Sequence, residues 1–216
     1  MFNILKKILP GHRSDAELDV LANAVIEEGQ IFTAKVVGNL PKDYTQRELA
    51  MCLASHVAYA DSDEFLHKEY ITRSKISFEG ICFLLEYVSR HFNALPKKVG
   101  DDAYQELTSR ILEHQAKTFQ PIWEGTPREI YNHLVVLLNE RGQQYARLKR
   151  VPSLNPGDSE FFNEAVGDVA ASKVCELNDR TGNFGNEERW RVRWHLYSSG
   201  FPKKFETVFQ IIKAKQ

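Results

Sequence analysis

Cysteine is scarce in this chain: Cys52, Cys82 and Cys175 are the only three in 216 residues, widely spaced and set in apolar helical patterns. An odd, scattered set argues against a disulfide framework or a zinc site, and for reduced, buried thiols in a cytoplasmic protein. Net charge is lacking as well. With 28 basic and 29 acidic residues the formal value is -1, so no bulk field marks a nucleic-acid protein. No apolar run reaches the roughly 20 residues a bilayer span requires. The amino terminus, MFNILKKILPGH, places its lysines after the apolar residues begin and has a short apolar run before Pro10, unlike a secretory signal peptide. Fixed-period repeats and low-complexity tracts are absent too.

What remains is an ordinary globular composition, 43% hydrophobic, 11% aromatic and 26% charged, far from the signature of disorder. Domains commonly hold about 100 to 200 residues, and we expect a single domain over 1–216. The stretch 151–158, with Pro152, Pro156 and Gly157, is the best internal boundary or long loop. The roughly 60 residues beyond it are near the small end for independent folding.

Helical periodicity organises the chain. In 76–92, ISFEGICFLLEYVSRHF, the residues Ile81, Leu85, Val88 and Phe92 form one stripe, and Phe78, Cys82, Phe83, Leu84 and Tyr87 widen it over most of the circumference. A helix apolar nearly all round is packed on several sides, so 76–92 reads as a buried central helix. The expected fold class is all-α, a bundle of about seven to nine helices around it.

Before the centre, residues 1–11 form an amphipathic arm. Phe2, Ile4, Leu5, Ile8 and Leu9 are expected to dock on the protein itself, the alternative being weak peripheral membrane contact assisted by Lys6 and Lys7. Ser14 can cap a helix with Leu18, Leu21, Val25 and Phe32 inward and Gly29 as a kink or stop; 30–37 is ambiguous and reads as helix. Thr45 and Glu48 match a reciprocal capping box. A short turn over 64–69 then leads into the central helix.

After the centre, a loop over 97–100 precedes a helix marked by Asp102 and Gln105, which stops near Pro121. The strongest local signal is TPRE at 126–129, with cap, first-turn proline and reciprocal acid all in place. It starts a helix carrying Ile130, Leu134, Leu137, Leu138 and Tyr145 inward. Phe161, Phe162, Val166, Val169 and Val174 make a further amphipathic helix. RWRVRWHLY, 189–197, alternates like a strand, yet Trp190, Trp194 and Tyr197 also share a helical face. Asn186 as cap, Glu187 and Glu188 in the first turn, and Gly200 with Pro202 beyond the end favour helix. A last helix carries Phe205, Phe209 and Ile212.

Chemical motifs are weak. Glu64 and His67 form ExxH, the spacing used for iron or manganese in four-helix carboxylate proteins, but that chemistry needs the motif twice, and Glu129 and His133 stand one residue further apart. VAYADSDE at 57–64 and VGDD at 99–102 superficially resemble the acidic motifs of haloacid-dehalogenase-like phosphatases, which hold magnesium around an aspartate nucleophile. Those enzymes place their acids at the ends of parallel strands, whereas a long helix separates these two patches. Asp61 and Asp63 then read as a turn, and Asp101 and Asp102 as a helix start. GNFG at 182–185 lacks the lysine and hydroxyl of a phosphate-binding loop and reads as a turn. No catalytic residue, metal or cofactor is assigned.

The one uneven feature is charge: 155–188 carries eight acids and two basic residues, 189–216 seven basic residues and one acid. Two arrangements follow. In one, the two segments pair and neutralise each other, with the tryptophans in the core. In the other, Arg189, Trp190, Arg193, Trp194 and Tyr197 form a partner-binding face, arginine and tryptophan being enriched among interface hot spots. The functional expectation is a non-enzymatic, cytoplasmic adaptor or regulator that binds a protein partner through those residues. The alternatives are an enzyme whose site assembles only in three dimensions, and nucleic-acid binding through the basic carboxyl end, against which the neighbouring acidic segment weighs.

Overall fold

The computed structural model describes residues 15–37, 64–148, 164–178 and 185–214, with backbone alone for 15, 64–69, 164–165 and 178. They form α1 (Asp15–Val36), α2 (Glu64–Phe92), α3 (Lys97–Phe119), α4 (Pro127–Ala146), α5 (Glu164–Asn178), α6 (Asn186–Tyr197) and α7 (Phe201–Ala214). No strand occurs among the described residues. The fold is all-α, and 189–197 is helical. The arm at 1–11, the capping box at Thr45 and Glu48, and the boundary at 151–158 lie outside the described residues.

α2 is the centre. Ile76, Ile81, Leu85 and Val88 are fully buried, and Phe83, Tyr87 and Phe92 nearly so. The turn expected over 64–69 is instead the beginning of this same helix, which runs unbroken for 29 residues. Every described helix contributes to one apolar cluster around it. A second cluster, of Phe78 and Cys82 with Leu112, Phe119, Ile130 and Leu134, joins α2 to α3 and α4.

α1 lies against α2 at close range. A Cβ on Gly29 would sit 2.7 Å from the Ile81 side chain, and one on Gly80 would sit 2.7 Å from the Phe32 ring. Gly29 therefore neither kinks nor stops α1, which continues through it to Val36. Its role is to let the two helices approach, as a bulkier residue at a packed contact forces side chains off their rotamers.

Local starts differ in how they are made. Thr126 and Glu129 form the full reciprocal box: the Glu129 amide donates to Thr126 Oγ1 at 3.3 Å, and the Thr126 amide donates to Glu129 Oε2 at 2.8 Å. The Thr126 amide, and its hydroxyl at 2.9 Å, both donate to Glu129 Oε2 and lower the pKa of that carboxyl. α3, by contrast, begins at Lys97, earlier than Asp102 and Gln105 imply, because the Pro96 carbonyl accepts from the Val99 and Gly100 amides without any side-chain cap. α6 likewise starts with Gly185 at the cap position, and Asn186 is its first helical residue.

α7 closes the bundle with an aromatic seam. Phe205 meets Tyr87 edge-on at 5.3 Å and His91 at 4.9 Å, while Phe209 stands 5.7 Å from Phe92. Ser199, just before α7, donates to buried Glu28 of α1 at 3.0 Å. Lys204 adds an ion pair to Glu27 at 3.2 Å.

Candidate functional site

Two places on this frame can do chemistry or recognition. The first is α6, where the sequence placed its candidate residues. Trp190 and Trp194, one turn apart, are 60% and 58% exposed and lie nearly parallel, 5.9 Å between ring centroids. They are therefore not core residues, although Val192 and Leu196 of the same helix are. The strand-like alternation of 189–197 misleads here, because a helix turns only some of its apolar positions inward.

The pairing of the acidic and basic segments is nevertheless real. Arg193 Nη1 donates to Asp168 Oδ1 of α5 at 2.8 Å, and its guanidinium stands 5.6 Å from the centre of the Tyr197 ring. Tyr197 leaves the aromatic patch expected of it: its ring meets Phe83 of α2 edge-on at 6.2 Å, and a Cβ on Gly167 would fall 2.1 Å from its hydroxyl. Thus Arg193 and Tyr197 brace α6 on α5 and α2. Arg189 is partly buried. The outward surface belongs to the two tryptophans, with Arg191 beside them at 3.5 Å from Glu188.

The second place is a groove of about 640 Å³ between α2, α3 and α4. Cys82 and Glu86 line it from α2, Tyr104 from α3, and Tyr131, Gly142 and Tyr145 from α4. Such a volume lies within the roughly 300–1,000 Å³ of small-molecule sites. Below it, Arg141 donates from Nε to both Glu79 oxygens, at 2.9 and 2.7 Å, and from Nη1 to Gln144 Oε1 at 3.1 Å. The bonds to Glu79 hold the Arg141 pKa above its usual value. Burial, then the Glu79 charge, pushes the Cys82 thiol well up, so it is no thiolate nucleophile. Burial likewise raises Tyr145 well above the phenol range and Tyr104 to about 12, so both stay neutral hydroxyls.

No group of three or more histidine, cysteine, aspartate or glutamate residues among the described ones could hold a metal ion. Glu64 and His67 occupy the first turn of α2, and their side chains lie outside the described residues. Glu129 is engaged in its cap. Asp101 and Asp102 sit inside α3, beyond its first turn.

Sequence reasoning missed the groove. Its walls come from helices whose polar residues look like ordinary solvent faces one at a time. Glu79 and Glu86 carried a signal, as acids inside the most apolar segment, where a buried charge demands a partner.

No family model matches the chain, and no curated protein or solved structure matches it either.

Proposed function

We propose that this protein is a non-enzymatic binding module of the cytoplasm whose contact face is the outward side of α6, anchored by Trp190 and Trp194. The observation that carries this reading is their shared exposure, 60% and 58%, on a helix whose other side is locked into the core. Large aromatic side chains presented on a rigid element lose little conformational freedom on docking, and tryptophan dominates interface hot spots. Arg193 and Tyr197 serve the face by fixing α6 on α5 and α2. The fitting partner is a protein surface with an apolar cleft for the indoles.

Charge pairing weighs against the nucleic-acid alternative, because Arg191, Arg193 and Lys204 already stand against Glu188, Asp168 and Glu27. The enzyme alternative draws little support from the groove. Glu86 is the one acid among its described lining residues, no histidine joins it, and the Cys82 thiol is held protonated. No described helix is long and apolar enough to cross a membrane.

The test compares the wild type with Trp190→Ala/Trp194→Ala for binding to partners identified by cross-linking in cells and then purified. The double variant is expected to keep its unfolding midpoint and lose at least about tenfold in affinity, as hot-spot truncations typically exceed 1 kcal/mol. Val136→Ala, at an equally exposed apolar site on α4, should bind normally. Unchanged affinity in a folded double variant refutes the proposal.

A further inference from the structure

The groove between α2, α3 and α4 carries an inference independent of the α6 face. None of its described lining residues is basic, and Glu86 supplies a carboxylate. Both Arg90 hydrogen bonds to that carboxylate, at 3.0 and 2.9 Å, fall on Oε1, which leaves Oε2 for a ligand. Arg141 cannot serve an anion either, being committed to Glu79 and Gln144.

Three tyrosines, 104, 131 and 145, line the walls. Aromatic faces attract cations, more strongly where water is excluded. Tyr145 adds a polar handle, because its hydroxyl is buried with no hydrogen-bond partner among the described residues and the residue is only 3% exposed. Buried polar atoms are ordinarily paired, and an orphan at a groove is a place where a ligand can complete the bond.

Gly142 is the second signal. It sits inside α4, where glycine weakens a helix relative to alanine. Nothing among the described residues requires it: a Cβ there meets none of their atoms within 4 Å, and Gly125 is the described glycine with a positive φ. The open space beside Gly142 is the groove it lines.

We propose that this groove binds a small organic ammonium ion with an apolar body, Glu86 acting as counter-ion, the tyrosines as walls, and Gly142 keeping the mouth open. The ammonium group donates to Glu86 Oε2, and the Tyr145 hydroxyl accepts or donates a further bond. A carboxylate of the same shape is repelled, and an uncharged analogue keeps only the apolar contacts.

Three probes share one ring and one chain length: 2-phenylethylammonium, 2-phenylethanol and phenylacetate. Titrated into the full chain and followed by amide NMR, the ammonium ion should bind best and phenylacetate worst. Glu86→Gln should weaken the ammonium ion roughly tenfold, the loss expected for one charge-assisted bond, and leave 2-phenylethanol unchanged. Tyr145→Phe should weaken it less. Gly142→Leu should block the ammonium ion and the alcohol alike, while Gly142→Ala raises the unfolding midpoint. If Gly142→Leu does not fold, Asn139→Phe, at an exposed lining position one turn earlier, tests the same blockage. The proposal is overturned if the ammonium ion shows no binding at millimolar concentration. Equal affinity for the alcohol, or an unaltered affinity in folded Glu86→Gln, overturns it too.

Discussion

Arg141 of α4 grips Glu79 of α2 with both carboxylate oxygens engaged, across 62 positions of sequence, and the two side chains are 12% and 9% exposed. A charge buried this deeply is tolerable only with its partner in place. The pair therefore ties α4 to the central helix. Cys82, one turn along α2, lies in the field of both charges.

Breaking that pair from one side should be severe. Arg141→Met leaves the Glu79 carboxylate buried without its cation and should cost about 3–5 kcal/mol in urea unfolding. Replacing both, as Glu79→Leu/Arg141→Met, should recover most of the loss, since two apolar side chains carry no desolvation penalty. A double variant as unstable as the single one would show that the ion pair is not the source of the effect.

The α1 and α2 contact is equally specific. Gly80→Ala drives a methyl into the Phe32 ring and Gly29→Ala drives one toward Ile81 and the Ser77 carbonyl. Each should destabilise by about 1–3 kcal/mol, although alanine is the better helix former. Gly29→Ala should be the worse of the two, because a backbone oxygen at 3.1 Å yields less than a side chain. A stabilised Gly29→Ala protein would mean the helices are further apart than described.

His195 should make stability depend on pH. Burial, then the charges of Lys35 and Arg191, lowers its pKa from 6.5. A group with a lowered folded pKa contributes stability that is intact above its unfolded value and is lost as pH falls through the folded one. The unfolding midpoint should therefore drop on acidification below about 6.5. His195→Asn should flatten that slope, and Lys35→Gln should flatten it partly by removing one repulsive charge. An identical slope in His195→Asn would place the acid sensitivity elsewhere.

Much of the fold was legible because it rests on local rules. The stripe of 76–92 named the buried centre, and Thr126 with Glu129 marked a helix start to the residue, since a cap needs only neighbours in sequence. Local rules failed where the chain meets itself. Gly29 looks like a helix breaker until Ile81 lies against it, and 64–69 looks like a separate turn until the helix behind it extends backward. Tyr197 belongs with the tryptophans by spacing, yet the cleft above Gly167 draws it inward.

The sequence by itself determined that the chain is helical, which segment is central, and that α6 carries tryptophan and arginine, because periodicity and capping act within one or two turns. Only the tertiary structure decided that Trp190 and Trp194 face outward while Trp123 packs on Phe119 at 5.1 Å and donates to Ser74 at 2.7 Å. Only it decided that Arg193 is held by Asp168, and that Glu86, Tyr145 and Gly142 share one groove. Exposure and convergence are set by which helices lie side by side, and that is fixed by contacts between residues far apart in the chain.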